Sequence, residues 1–143
     1  MRSSAIQKKH IFVPDGLLGP QNAQFKVLVV DGSHFFTSEV EKFLETEGHQ
    51  VMQAGSLDEA LSKLSQFRPD LILFDNAVEG VSGRNFVSEL LIEQPSAGLV
   101  ILARNPTVSE AAAAIRQGAT DYQAAPLDVE KLKELIESQK AFF

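Results

Sequence analysis

Cysteine and tryptophan are absent from the 143 residues, and tyrosine occurs once. Without cysteine there is no disulfide framework, no thiolate metal centre and no cysteine nucleophile. Basic residues are scarce as well: 13 Lys+Arg stand against 19 Asp+Glu, a formal net charge of -6. That balance argues against a nonspecific nucleic-acid binder, which needs a basic face to displace counterions, so no direct nucleic-acid contact is expected. Long apolar runs are also missing. Runs such as Leu71-Ile72-Leu73-Phe74 and Leu99 to Ala103 fall far short of the roughly 20 residues that span a bilayer. No membrane role is expected. The sequence opens with no apolar h-region, so no secretory signal is read and the cytoplasm is the expected compartment.

What is present is the balance of an ordinary globular domain, 44% hydrophobic and 22% charged. The length allows one core and argues against two independent domains. Charge is unevenly spread. Residues 1–24 hold Arg2, Lys8 and Lys9 against Asp15 alone, so residues 25–143 carry the whole acid excess, -8. With Pro14-Asp15-Gly16, Gly19-Pro20 and no sustained period, residues 1–24 read as a loop-rich extension. They hold one short candidate strand, His10 to Val13; a disordered leader is the other reading. Residues 25–143 read as the folded domain.

From Phe25 on, short β-like runs alternate with amphipathic helical segments. Phe25 to Val30 is a valine-rich strand ending at Asp31. Ser33 can cap a helix carrying Phe36, Val40, Phe43 and Leu44, stopped by Gly48. Gln50 to Ala54 is the second strand. Ser56 and Glu59 form a capping box for a helix through Leu57, Ala60, Leu61, Leu64 and Phe67. Leu71 to Phe74 is the third strand and ends at Asp75. Ser82 to Glu93 reads as helix, Leu99 to Ala103 as the fourth strand, and Thr107 with Glu110 as a second capping box. An alanine-rich helix then runs to Gly118. Thr120 to Ala124 is a weak fifth strand. Asp128 caps the last helix, with Leu127 and Leu132 placed as a staple.

Five strands alternating with five helices specify an α/β fold, a doubly wound parallel sheet with helices on both faces. The first, third and fourth strands are apolar on both faces, as central parallel strands must be. Ligands of such sheets sit outside the carboxyl ends of the strands. Asp31 and Asp75 fall there.

Four pieces in register are specific: Lys26-Val27-Leu28-Val29-Val30-Asp31; Arg68-Pro69-Asp70-Leu71-Ile72-Leu73-Phe74-Asp75; Gly83, eight residues beyond Asp75; and Gly118-Ala119-Thr120-Asp121-Tyr122 with Pro126. Together they resemble a response-regulator receiver domain over about residues 25–140. Pro106 to Asp128 most resembles receivers of enhancer-binding transcription activators. The resemblance implies a flavodoxin-like strand order, 2-1-3-4-5, and a signalling domain of a two-component phosphorelay that is not itself an enzyme. Its input is a histidine kinase or phosphotransfer protein. Asp75 stands at the phosphoacceptor position. Asp31, Asp75 and the main-chain carbonyl of Ala77 match metal ligands for Mg²⁺. The helix 4–strand 5–helix 5 face is the implied output and homodimer surface.

Departures from the family pattern cluster at this site. Gly32 stands where a second metal acid is usual, Ala103 where a hydroxyl is usual, and Ala125 where a lysine precedes Pro126. Glu79 replaces a loop proline, and Tyr122, the family's rotating aromatic, is kept. Losing a carboxylate at 32 leaves Mg²⁺ fewer charged ligands, so binding is expected to be weak. Without a hydroxyl at 103, the loop movement that drives Tyr122 lacks its usual trigger. The chain thus resembles a degenerate receiver, or pseudo-receiver.

Each residue carries a plainer reading. Asp75 is a phosphoacceptor, or an acid that hydrogen-bonds the loop Asn76 to Gly83. Asp31 touches metal, or partners the next helix. Glu79 replaces the missing acid, or is a solvated loop residue. Arg104 restores the charge lost at Ala125, or lies on the surface. Tyr122 is a switch, or an aromatic packed beside the fourth helix. The rival to phosphorelay signalling is a phosphorylation-independent interaction module using the helix 4 face, where Ala111 to Ala114 offer a small-residue surface. His34 follows Asp31 closely, and Ala141-Phe142-Phe143 ends on two aromatics that suit a dimer contact or a cut end. With one glycine in Asp31-Gly32-Ser33, a dinucleotide site is disfavoured.

Overall fold

A computed structural model describes residues 25–32 and 38–140. The candidate strand His10 to Val13, the Ser33 cap, His34, Phe36 and the segment Ala141 to Phe143 lie outside the described residues.

The strands are β1 Lys26–Val30, β2 Gln50–Ala54, β3 Leu71–Asp75, β4 Gly98–Ala103 and β5 Asp121–Ala124. The helices are α1 Ser38–Thr46, α2 Leu57–Phe67, α3 Phe86–Glu93, α4 Val108–Arg116 and α5 Val129–Lys140. All strand pairs are parallel and run β2-β1-β3-β4-β5 across the sheet. This is the 2-1-3-4-5 order that the receiver resemblance implies.

Side chains alternate across a strand, and the apolar runs fill both faces in turn. Leu28, Val30, Ile72, Phe74, Leu99 and Ile101 pack with Leu57, Leu64, Leu90 and Ala114, so α2, α3 and α4 cover one face. Val27, Val29, Leu71, Leu73, Val100 and Leu102 pack with Val40, Leu44, Leu132 and Ile136, so α1 and α5 cover the other. β3 and β4 are buried along their full length. That fixes the carboxyl ends of the central strands as a firm platform.

Three local expectations need correction. α3 starts at Phe86 rather than Ser82. Gly83 sits at a φ of 73°, a left-handed conformation that helix cannot continue through, and Asn85 supplies the cap, accepting from Ser88 N at 3.3 Å. The first box is displaced: Ser56 Oγ accepts from Glu59 N at 3.1 Å, but Glu59 Oε1 returns to Gly55 N, at 2.7 Å. In the second, Thr107 Oγ1 accepts from Glu110 N at 3.1 Å, while the Glu110 carboxylate turns to Tyr122. The last cap forms as expected, with Lys131 N donating to Asp128 Oδ1 at 2.8 Å. Leu127 and Leu132 are both buried beneath it.

Candidate phosphoacceptor site

Asp75 closes β3 with only 1% of its surface exposed. The chain turns immediately after it. Ala77 N donates to Asp75 Oδ1 at 2.9 Å, and Val78 N to the Asp75 carbonyl at 3.2 Å. Burial disfavours a charged carboxylate unless such donors are present, and the turn supplies one. The plainer reading of Asp75, as an acid that hydrogen-bonds its own loop, is met at Ala77 N. Val30 pairs with Phe74, so Asp31 and Asp75 are the next residues along neighbouring strands. Asp31 is half-buried and its N–H donates to Ala54 O at 2.9 Å, prolonging the β1–β2 ladder.

The departing residues border the same strand ends. Gly32 is exposed, and a Cβ there would meet Gly55 O at 3.0 Å. Ala103 ends β4, is 2% exposed and pairs with Ala124; its carbonyl accepts from Ala125 N at 2.9 Å. A methyl therefore occupies the wall where a hydroxyl is usual. Ala125 is half-buried and joined by a cis peptide to Pro126, which is exposed.

Tyr122 lies half-buried on β5, packed against the α2–α3–α4 side of the core. Its Oη accepts from Asn76 Nδ2 at 3.5 Å and donates to Glu110 Oε1 at 3.3 Å. Burial, then the Glu110 charge and hydrogen bond, push the phenol above its ordinary range, while the Asn76 amide pulls the other way. These three residues line a cleft of about 550 Å³ between α3 and α4, with Ala113, Ala114 and Phe86 in its walls.

A second cluster braces the loop that follows Asp75. Arg84 reaches Asp58 on α2 at 2.8 Å and grips Glu89 on α3 through two bonds, of 2.6 Å and 3.0 Å. Hydrogen bonds to Glu89 and Asp58 hold its guanidinium charged well beyond the ordinary range. Glu79, the suggested substitute acid, has an exposed side chain. Its carbonyl accepts from Leu57 N at 2.9 Å, beside a bridge between Ser56 and Glu79. Arg104 is exposed just beyond β4.

A family model for the response regulator receiver domain matches residues 27–137. The chain belongs to that family. The receiver is 27% identical over 113 residues to Protein PilH of Pseudomonas aeruginosa, covering 78% of this chain and 93% of that protein. It is 28% identical over 113 residues to the nitrogen assimilation regulatory protein NtrX of Azorhizobium caulinodans. There the match covers 78% of this chain but 25% of the relative, so the receiver spans about a quarter of NtrX's length. Among solved structures, a response regulator from Burkholderia pseudomallei with a phosphorylated aspartic acid, calcium ion and citrate superposes with a TM-score of 0.69. It is 26% identical, covering 83% of this chain and 74% of that one.

Receiver domains in general bind Mg²⁺. The candidate donors that the resemblance implies are two carboxylates, Asp31 and Asp75, and the Ala77 carbonyl; among the described residues no group of three or more His, Asp or Glu that could hold a metal is gathered. Mg²⁺ is commonly held by one or two carboxylates together with substrate phosphate and water, so this set fits the ion, with a smaller charge than three acids would give.

Asn76 and Arg84 were not singled out from the sequence. Asn76 has a signal, a polar residue where the apolar strand stops; Arg84 has one only in hindsight, five residues before Glu89.

Proposed function

We propose that Asp75 is the phosphoacceptor of this receiver, taking a phosphoryl group from a phosphohistidine on a histidine kinase or phosphotransfer protein. The observation that carries the reading is the buried Asp75 carboxylate at the end of β3, braced by Ala77 N–H and next along the sheet to Asp31. The phosphorylated aspartic acid of the Burkholderia relative supports it.

The chemistry balances simply. An Asp75 oxygen bonds to phosphorus, the phosphorus–nitrogen bond to the donor imidazole breaks, and that nitrogen leaves with its electron pair and takes a proton. Ala77 N–H, which donates to Asp75 Oδ1, orients the carboxylate. Asp31, Asp75 and the Ala77 carbonyl would hold Mg²⁺, which neutralises charge on the transferring group. We infer weak binding, since Gly32 adds no carboxylate and Ala125 no ammonium.

Receiver domains are generally not enzymes in their own right, and we infer the same here: Asp75 is itself the group modified. The surface of α4, β5 and α5 is the proposed output and homodimer contact. On α4, Val108 is 88% exposed and Ile115, two turns on, is 46% exposed, an apolar stripe on one face. Ala114 is buried in the core, so the alanine run offers less open surface than its composition suggests. The acid excess of residues 25–143 supports the absence of nucleic-acid contact by this domain. No described helix is long and apolar enough to cross a membrane, and a cytoplasmic location is part of the proposal.

Incubation with Mg²⁺ and a small phosphodonor, followed by intact mass, tests the reading. A single phosphate adduct lost on Asp75→Asn is the expected result. No adduct, with no spectral response to beryllofluoride, would overturn it in favour of the phosphorylation-independent interaction module, which the buried methyl of Ala103 favours.

A further inference from the structure

We propose that His49 is a pH-sensitive latch at the amino end of the sheet: the neutral ring holds the Phe25 N–H where residues 1–24 join β1, and the protonated ring releases it. The latch owes nothing to Asp75, which lies at the opposite end of the parallel strands.

Only 7% of His49 is exposed, so its ring polar atoms are answered by the protein more than by water. Its Nδ1 accepts from Phe25 N at 3.1 Å. An imidazole nitrogen accepts only while it carries no proton, so the neutral ring keeps its hydrogen on Nε2. Proton uptake turns both nitrogens into donors. Nδ1 then meets the Phe25 N–H donor to donor, and the bond is lost wherever the midpoint falls.

The same residue ties three elements together. His49 N donates to Leu44 O of α1 at 3.0 Å, and Gln50 N donates to Phe25 O at 2.9 Å, opening the β1–β2 ladder. Two consecutive residues therefore hold the N–H and the carbonyl of Phe25. The Phe25 ring is buried in the core beneath α1 and α5, its centroid 5.9 Å from that of the imidazole. Release frees the amide side of Phe25 and leaves the carbonyl side paired, which places a hinge where the chain enters the sheet.

Charged groups face the ring from two sides. It lines a cavity of about 180 Å³ with Glu47, just beyond α1, and with Lys133 and Glu137 of α5. The Lys133 ammonium lies over the Phe43 ring, 5.7 Å from its centroid. The carboxylates favour a charged imidazole, while Lys133 and the Phe25 N–H oppose it. They set the midpoint, but none of them returns a lone pair to Nδ1. β2 contributes no charge. On β1, Lys26 N donates to Asp70 Oδ2 at 2.9 Å. Carboxylates as a class take up protons at lower pH than imidazoles, so the adjacent amides of Phe25 and Lys26 answer to different groups.

The test follows amide and imidazole signals of the 143-residue chain from about pH 8 towards acid unfolding. The His49 ring signal is the one missing from His49→Asn. The Phe25 amide should shift with the midpoint of that ring. Its protection from exchange should fall about tenfold relative to Lys26, whose amide stays in place over the same range. His49→Asn keeps a side-chain acceptor without an ionisable ring and should hold Phe25 throughout. Glu137→Gln and Lys133→Gln, changes at exposed positions, should move the ring midpoint down and up respectively, with the Phe25 amide following each. A Phe25 signal that shifts with protection intact would mean a change of ring charge without release, and would overturn the latch. So would a Phe25 amide that ignores the ring midpoint, a response that persists in His49→Asn, or a ring that takes up no proton before the chain unfolds.

Discussion

Arg84 Nη1 stands 2.8 Å from Asp58 Oδ1, tying the segment after β3 to the first turn of α2. With the Leu57 N–H on Glu79 O, this contact makes the two loops one unit. Replacing Arg84 by Gln should speed amide exchange at Leu57 and at residues 78–84 several-fold, with little change elsewhere. Hydrogen-exchange mass spectrometry reads this directly. Unchanged exchange would show that the backbone contacts suffice alone.

The same arginine sets part of the acid response. Its hydrogen bonds hold the Glu89 carboxyl below the ordinary glutamate range, and the Gly55 N–H followed by Lys63 does the same for Glu59. Carboxyls with lowered folded values contribute stability that is complete above the unfolded value of about 4.3 and is lost as pH falls through the folded one. Urea midpoints should therefore drop below about pH 4. The drop should be shallower in Arg84→Gln, which has no Glu89 contribution left to lose.

Phe74 is fully buried immediately before Asp75 and stacks on Phe86, the first residue of α3, with centroids 4.8 Å apart and planes at 14°. Phe74→Ala should cost about 3–5 kcal/mol, read from urea unfolding. That is a large share of the roughly 5–15 kcal/mol a domain has. Phe74→Leu, which keeps most of the volume, should cost far less.

Tyr122 is the sole tyrosine, so alkaline difference absorbance follows it without interference from tryptophan. Its phenol should ionise above the ordinary value of about 10. Glu110→Gln should bring it down and Asn76→Ala should raise it further, because the carboxylate and the amide act in opposite senses. As pH climbs past about 10 the unfolded phenol ionises first, so folding stability declines across that window.

Gly32→Asp should tighten Mg²⁺ binding by restoring an acid beside Asp31 and Asp75. The new Cβ meets Gly55 O at 3.0 Å, closer than ordinary contact, so the β2–α2 loop must yield by a few tenths of an ångström. A lower melting temperature without Mg²⁺ and a larger rise on adding it are the expected outcome in a thermal scan. Equal Mg²⁺ affinity in the two proteins would show that Gly32 is not the limiting position.

The fold was legible because its signals were redundant. Leu71 to Phe74 and Leu99 to Ala103 are apolar at every position, short and closely bounded by polar or turn residues, the pattern of a strand covered on both faces. Asp75 and Asp31 were legible because an acid ending such a strand lies at the sheet's carboxyl edge. α3 was misread because Ser82 and Gly83 resemble a helix start, whereas the left-handed φ of Gly83 and the Asn85 side chain postpone it. The Glu110–Tyr122 contact was hidden because a Thr-x-x-Glu spacing has a local explanation. Only the tertiary placement of β5 beside α4 offers the glutamate a better partner. The tie from Arg84 to Asp58 could not be read, since the two lie 26 residues apart.

The bridge between Ser56 and Glu79 makes the rim of the strand ends unequal in stiffness. On the β2 side two loops are pinned to each other. On the β5 side, residues 104–110 are exposed without interruption. Regions with few buried contacts open at lower free energy than braced ones. A disturbance at Asp75 therefore meets resistance in one direction and compliance in the other. The rim is braced at Ser56 and Glu79 and open along residues 104–110, so amide exchange should run faster on the α4 side.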